Sequence, residues 1–338
     1  MGWYRTFGRT LFFALPPESA HRLAGAMLGL PLPWERIGGA VDDPRLEVTL
    51  AGIPLRNPIG LAAGFDKKAG HLDALGRVGF GYTVGGTVTA RPRRGNPKPR
   101  IVRIPERRSI VNSMGLPNPG AHVAAARLRR TRRTGPRMIS IADEGLADVL
   151  ATHALLEPLV DGIELNVSCP NVSFGRDRDN EAHLGEVLTR LAETRQRPLF
   201  VKLPPFESDA EREAVLAVAR IAHEGGVEGL TCTNTRPVEE PRLASGRGGL
   251  SGRDLFESTL RVVRDVRETT GGELPINACG GITSAEDALA CVESGATTVQ
   301  IYTGMIYEGP GIVGDITCDL AAELRERGAE FKSLVGAI

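Results

Sequence analysis

Cysteine is sparse and unpaired in this 338-residue chain: Cys169, Cys232, Cys279, Cys291 and Cys318 are scattered, odd in number, and none forms a CxxC pair. That pattern argues against a disulfide framework or a zinc site and fits reduced thiols in a cytosolic compartment. No apolar run approaches the ~20 residues that a transmembrane helix needs. Neither sign of charge dominates, since 41 basic and 41 acidic residues leave a formal net charge of +0. Nothing therefore points to a nucleic-acid partner. No GxGxxG follows the first apolar strand pattern, which argues against a doubly wound dinucleotide-binding sheet. Lysine is also rare: Lys67, Lys68, Lys98, Lys202 and Lys332 are the five lysines among 41 basic residues. The six histidines (His21, His71, His122, His153, His183, His223) fall on helical patterns or in the N-terminal segment. A metal centre or a histidine base at strand ends is thus not expected.

What is present is an alternation. Short β-branched stretches recur at 59–64, 81–89, 137–142, 162–168, 198–203, 229–234, 275–281 and 298–304, separated by amphipathic segments that often end in glycine. Eight strands alternating with helices predict a (β/α)8 TIM barrel of the α/β class. Ahead of it, "LEVTLAGIPLRNP" alternates around Gly52 and reads as a hairpin at the barrel floor. Two insertions, 90–120 and 235–253, follow strands and so belong on the C-terminal face, where barrel active sites are built. The run "RLRRTRRTGPR" (127–137) reads as a solvated helix end.

Polar residues collect at the predicted strand ends. Lys67 follows the first strand and Lys202 interrupts the otherwise apolar "FVKLPP", each a compact charge suited to an anionic ring edge or a carboxylate. Asn112, Asn166, Asn171 and Asn234 offer donors and acceptors together, which suits a ring with alternating C=O and N–H groups such as a pyrimidine. Gly280-Gly281 and Thr303-Gly304, after the last two strands, place backbone N–H groups where barrels bind phosphate, and FMN is a candidate cofactor. Cys169, in "NVSCPN", lacks partners for a metal site or a disulfide, which leaves a general base or a small buried hydrophobe.

The start of the chain is aromatic and arginine-rich, with Trp3, Tyr4, Phe7, Leu11, Phe12 and Phe13 around Arg5 and Arg9 before Pro16-Pro17. It lacks the long apolar stretch and cleavage site of a secretory signal. Two readings fit: a pair of interfacial helices at a membrane surface, or an ordinary cap packed on the core.

Together these stretches resemble the dihydroorotate dehydrogenases over almost the whole chain. "NPIGLAAGFDK", "GTVTARPRRGNPKPR", "TNT", "GGLSGR", "VQIYTG…GP" and "PESAHRLA" are similar to the membrane-associated, quinone-reducing class. "NSMGLPNPG", "NVSCPN", "VKLPP" and "ISIA" are similar to the soluble, fumarate-reducing class, and Ser140 replaces an asparagine expected near the flavin.

The resemblance implies an FMN-bearing barrel (41–338) behind an N-terminal helical extension (1–40), peripheral on the cytoplasmic side of the cell membrane. It implies oxidation of dihydroorotate to orotate in pyrimidine biosynthesis, with a quinone as acceptor. It implies Cys169 as the base, with Lys67 and Lys202 as catalytic charges. Lys67, Asn112, Ser113, Met114, Gly115, Leu116, Asn166, Asn171, Asn234 and Thr235 would hold substrate. Ala63, Gly64, Thr87, Ser140, Asn166, Lys202, Thr233, Gly252, Gly280, Gly281, Tyr302 and Thr303 would hold FMN. His21, Arg103 and Tyr302 would border the quinone. Alternatives left open are a flavin dehydrogenase acting on another cyclic substrate or using fumarate, and a barrel that only binds ligand.

Overall fold

The structure, a computed structural model, describes residues 4–143, 145–167 and 178–335. Eight parallel strands close into a barrel: Ile59–Leu61, Tyr82–Val88, Arg137–Ile141, Gly162–Asn166, Leu199–Leu203, Gly229–Cys232, Ile276–Cys279 and Thr298–Ile301. The last pairs with the first through Val299↔Ile59 and Ile301↔Leu61, so no edge is left open. Each strand is covered on both faces, which is why its sequence reads as an apolar run and not as an alternation. Between strands the chain supplies amphipathic helices, as in Asp209–Glu224, which opens with a capping box of Ser208 and Glu211.

Immediately before the first barrel strand, Val48–Leu50 and Ile53–Leu55 form an antiparallel hairpin in which alternate residues are buried. Ala51 and Gly52 both take positive φ, 48° and 80°, the two-residue turn whose twist matches paired strands. At the far end of the helix Ala121–Arg130 the basic run is mostly exposed, as its sequence implied. Arg137, the first residue of the third barrel strand, is the exception: it is buried, and its guanidinium donates to the Leu128 and Leu159 carbonyls.

The two insertions build a second sheet that periodicity does not reveal. Arg236–Glu239, Arg247–Gly252, Ser109–Asn112 and Ile101–Ile104 pair antiparallel in that order, around a small core of Val111, Leu243 and Leu250. Proline, arginine and glycine dominate these segments because one side of the sheet is wet, so little apolar pattern marks them. The sheet stands on the catalytic face of the barrel and supports the N-terminal arm.

That arm comprises a helical turn Tyr4–Gly8 running into a helix Arg9–Ala14, then Pro17–Leu28 and Trp34–Gly38. Its inner side is packed: Leu28 and Trp34 join the main core. Polar clamps add to this. Arg100 donates to both Glu18 carboxylate oxygens at 3.0 and 3.1 Å, and Tyr4 donates to the Ile306 carbonyl at 2.9 Å.

Candidate active site

A single large cavity of ≈ 1760 Å³ opens at the C-terminal ends of the barrel strands and runs on beneath the N-terminal arm. Its barrel wall is made by residues at or just after strand ends: Ala63 and Gly64, Thr87, Asn166, Lys202, Thr233 to Thr235, Cys279 to Gly281, Tyr302 and Thr303. The insertion sheet contributes Asn112 through Leu116 and Gly252, while Phe13, His21, Met27 and Arg103 line the end under the arm. Cys169 and Asn171 lie outside the described residues.

Two of the asparagines form a connected pair, and a third is held separately. Asn166 donates to Thr87 Oγ1 at 3.3 Å, and Asn234 donates to Asn166 Oδ1 at 3.4 Å. The Asn234 oxygen in turn accepts from the Thr235 backbone N–H at 2.8 Å, which fixes its amide orientation. Asn112 donates to the Gly249 carbonyl at 3.4 Å from across the insertion sheet. Amides oriented by such bonds present edges to a planar polar ring without paying to reorganise when it binds.

Ser140 differs from expectation. It is fully buried and absent from the cavity wall, and its hydroxyl meets Thr87 Oγ1 at 3.0 Å. Ser140 thus touches the cavity-lining Thr87 and is not itself part of the wall.

Two lysines set the electrostatics. Lys67 donates to the Gly64 carbonyl and lies 3.5 Å from the Tyr302 hydroxyl, which also donates to Gly64 at 3.1 Å. Lys202 is 5% exposed, 3.9 Å from Cys279 Sγ and 3.9 Å from Glu164 Oε1. Burial opposes its charge, but the Cys279 sulfur and the Glu164 carboxylate outweigh burial and hold the ammonium above the ordinary lysine value. Glu164 and Cys279 were not singled out in sequence; an acid within the apolar run "GIELNVS" was the signal available.

The glycine pair after the seventh strand shapes the wall. Gly281 takes φ 77°, and a Cβ there would meet Phe256 backbone at 2.7 Å, while a Cβ on Gly280 would meet Thr259 Oγ1 at 2.5 Å. Bare backbone is thereby forced to face the cavity, which lets a flat or phosphorylated ligand approach main-chain N–H groups closely.

Under the arm the wall turns aromatic. His21 packs edge-on against Phe65 at 5.5 Å, and Phe65 packs edge-on against Tyr302 at 5.7 Å, linking the arm to the barrel. Burial, reinforced by Lys67 and Lys68, pushes the His21 imidazole down to about 4, so it is neutral near pH 7. Arg103 lies over the Phe13 ring at 4.5 Å and donates to the Phe13 and Leu15 carbonyls at 3.3 and 2.9 Å. It satisfies the carbonyls left open at the end of the first arm helix. Among the described residues there is no cluster of three or more acidic, histidine or cysteine side chains able to hold a metal.

A family model described as Dihydroorotate dehydrogenase matches residues 45–324. The chain belongs to the dihydroorotate dehydrogenase family. Curated relatives named dihydroorotate dehydrogenase (quinone) include one from Novosphingobium aromaticivorans, 38% identical over 339 residues that cover 95% of each chain. Another, from Myxococcus xanthus, is 39% identical and covers 97% of this chain and 96% of its own. Among solved structures, the ligand-free dihydroorotate dehydrogenase of Eimeria tenella superposes with a TM-score of 0.83 at 30% identity, covering 95% of this chain and 98% of that one. The same enzyme in complex with ferulenol gives 0.81 at 31% identity, with 95% of each chain covered. These dihydroorotate dehydrogenases match the arm as well as the barrel, since coverage this high extends beyond residues 45–324.

Proposed function

We propose that this chain oxidises dihydroorotate to orotate for pyrimidine biosynthesis and passes the electrons to a quinone. The observation that carries the reading is the continuity of one cavity from the polar strand ends to an aromatic chamber under the arm. A hydrophilic substrate and an apolar acceptor then reach the same reaction centre from different sides. Curated relatives of the quinone-reducing kind, alike over nearly the full chain, support this choice of acceptor.

A flavin is the family's cofactor, and the cavity suits FMN. It has the room, a wall of bare backbone at Gly280 and Gly281, and a buried ammonium at Lys202. Ala63, Gly64, Thr87, Asn166, Lys202, Thr233, Gly252, Gly280, Gly281, Tyr302 and Thr303 would hold it. FMN supplies the two-electron acceptor for the hydride that leaves C6 of dihydroorotate.

The chain's own residues do the rest. Cys169 removes the C5 proton, so that loss of H⁺ from C5 and H⁻ from C6 leaves the C5=C6 double bond of orotate. A thiol is a far better base than a hydroxyl at neutral pH, since a few per cent is already thiolate at its ordinary pKa of about 8.5. Asn112, Asn166, Asn171 and Asn234 hold the ring's amide edges, with Thr235 and the backbone of Ser113 through Leu116 closing over it. Lys67 faces the substrate carboxylate, and Lys202 offers positive charge where negative charge develops. His21, Arg103 and Tyr302 border the quinone chamber, and the arm sits peripherally on the cytoplasmic side of the cell membrane.

The deciding experiment is steady-state turnover of dihydroorotate with ubiquinone or menaquinone analogues against fumarate. Quinone-supported turnover is expected. Turnover with fumarate alone, as the "NVSCPN" and "VKLPP" motifs would suggest, overturns the choice of acceptor, and a colourless protein that FMN cannot reconstitute overturns the enzyme reading.

A further inference from the structure

One buried acid has no task in the chemistry above. Glu164, on the fourth barrel strand, is fully enclosed. Its Oε2 accepts from Thr231 Oγ1 at 3.0 Å, and its Oε1 lies 3.9 Å from Lys202 Nζ. Enclosing a carboxylate costs several kcal/mol and is sustained only by a partner charge and by hydrogen bonds that satisfy its oxygens. Lys202 supplies the charge and Thr231 satisfies Oε2, while Oε1 makes no hydrogen bond among the described residues and has Lys202 as its facing charge. Thr231 is itself held by Asn277 at 3.3 Å, and the Asn277 oxygen accepts from Tyr82 at 3.2 Å and from Thr298 at 2.6 Å. A fixed chain of polar groups thus runs across the barrel interior and ends on Lys202, which faces the cavity.

The titratable groups around this pair are few. Cys232 and Cys279 face Lys202 from the sixth and seventh strands, and Tyr82 approaches Glu164 from the second. Burial pushes both thiols and the phenol up, so all three are neutral near pH 7. Cys279 accordingly gives Lys202 a dipole and not a charge. Among the described residues that face Lys202, Glu164 is the one carboxyl group.

We propose that Glu164 is a positioning residue that keeps Lys202 protonated at the cavity wall, so that positive charge is in place before electrons arrive. The consequence for electron transfer rests on the flavin reading; the pairing of the two side chains does not.

The five lysines make the pair directly readable. The full-length protein, labelled with ¹³C at the lysine ε-carbon, is titrated from pH 6 upward until the parent Lys202 signal has passed its midpoint, with the Lys202 resonance assigned as the one lost in Lys202→Arg. Glu164→Gln is expected to lower the Lys202 midpoint by about one pH unit or more, because burial then acts unopposed by an anion. Glu164→Asp recovers part of the shift, and Cys279→Ala, which removes a dipole and not a charge, lowers the midpoint by much less than Glu164→Gln does. An unshifted midpoint in Glu164→Gln overturns the proposal. So does a large fall in Cys279→Ala, which would make a thiolate the counter-ion and which decides the matter even if Glu164→Gln does not fold.

In the flavin-loaded protein, the reduction potential of Glu164→Gln is expected to fall more steeply with pH than the parent's, since reduction now draws one further proton onto Lys202. Equal slopes overturn the link to electron transfer. Failure to bind any flavin would instead refute the cofactor reading, and the lysine titration would still decide the pair.

Discussion

Cys169 and His21 have different tasks in the proposed reaction, and each answers to a different measurement. Removing the base in Cys169→Ala is expected to slow flavin reduction by dihydroorotate by about 10²–10⁴-fold in single turnover while flavin stays bound. An unchanged rate means that the proton leaves by another route. His21 is held near 4 against an ordinary 6.5, chiefly by burial and then by the charges of Lys67 and Lys68. Between those values the unfolded chain takes up a proton that the packed ring refuses, so this contribution is full above about pH 6.5 and is lost as pH falls toward 4. Its ceiling is roughly 3 kcal/mol, at about 1.4 kcal/mol per pH unit. Thermal unfolding of the parent should therefore weaken from pH 7 to pH 5 more than that of His21→Gln; parallel pH profiles would show that His21 does not sense burial in the packed arm.

At the scale of elements, the arm is joined to the insertion sheet by contacts that a substitution can loosen without touching the barrel. Glu18, on Pro17–Leu28, receives both nitrogens of Arg100, whose side chain is 10% exposed. Losing charge-assisted bonds of this kind costs about 1.5–3 kcal/mol. Glu18→Ala is expected to raise the KM for quinone several-fold and to leave flavin reduction by dihydroorotate near the parent rate; an equal loss in both half-reactions would mean that the arm and the substrate site are one cooperative unit.

The elements differ in how plainly they announce themselves. All eight barrel strands were legible because burial on both faces makes each a short, largely apolar stretch, as in Leu199–Leu203, where Lys202 is the one interruption. The hairpin was legible from alternation around Gly52. The four-stranded insertion sheet was not, since Arg236–Glu239 alternates between exposed and partly covered residues and carries Pro237. Site residues followed the same logic. Lysines and asparagines at strand ends could be named from position, and the described ones do line the cavity. Glu164 could not, because its proposed task depends on a partner 38 residues away that only the pairing of the fourth and fifth strands brings to 3.9 Å. For Ser140, sequence gives its strand but not that its hydroxyl meets Thr87 Oγ1 behind the cavity wall.

At the scale of the whole molecule, the distribution of exposed apolar side chains bears on where the protein works. Among the described residues five large hydrophobics are exposed, and four of them, Phe7 (74%), Leu11 (64%), Leu23 (40%) and Leu30 (52%), lie in the arm. Scattered exposure of this kind is ordinary, but confinement to one element marks a contact surface. The exposed Arg22 and Arg36 share that element and suit anionic headgroups. No helix among the described residues is long and apolar enough to cross a membrane, so the expected contact is one that lies on the surface. The inner side of the N-terminal segment is a packed cap, and contact of the outer side with lipid is a prediction. Burying a Phe or Leu side chain fully is worth about 1.5–3 kcal/mol, so replacing two of them with acids removes at least one to two orders of magnitude of partitioning. The Phe7→Glu, Leu11→Glu double variant is therefore expected to bind vesicles of mixed neutral and anionic lipid at least about tenfold more weakly than the parent in cosedimentation. It should also lose turnover with a long-chain quinone dissolved in those vesicles, yet keep turnover with a short-chain analogue in solution. Equal vesicle binding would remove the membrane from the account, and equal loss with both quinones would place Phe7 and Leu11 in the electron path and not at the lipid surface.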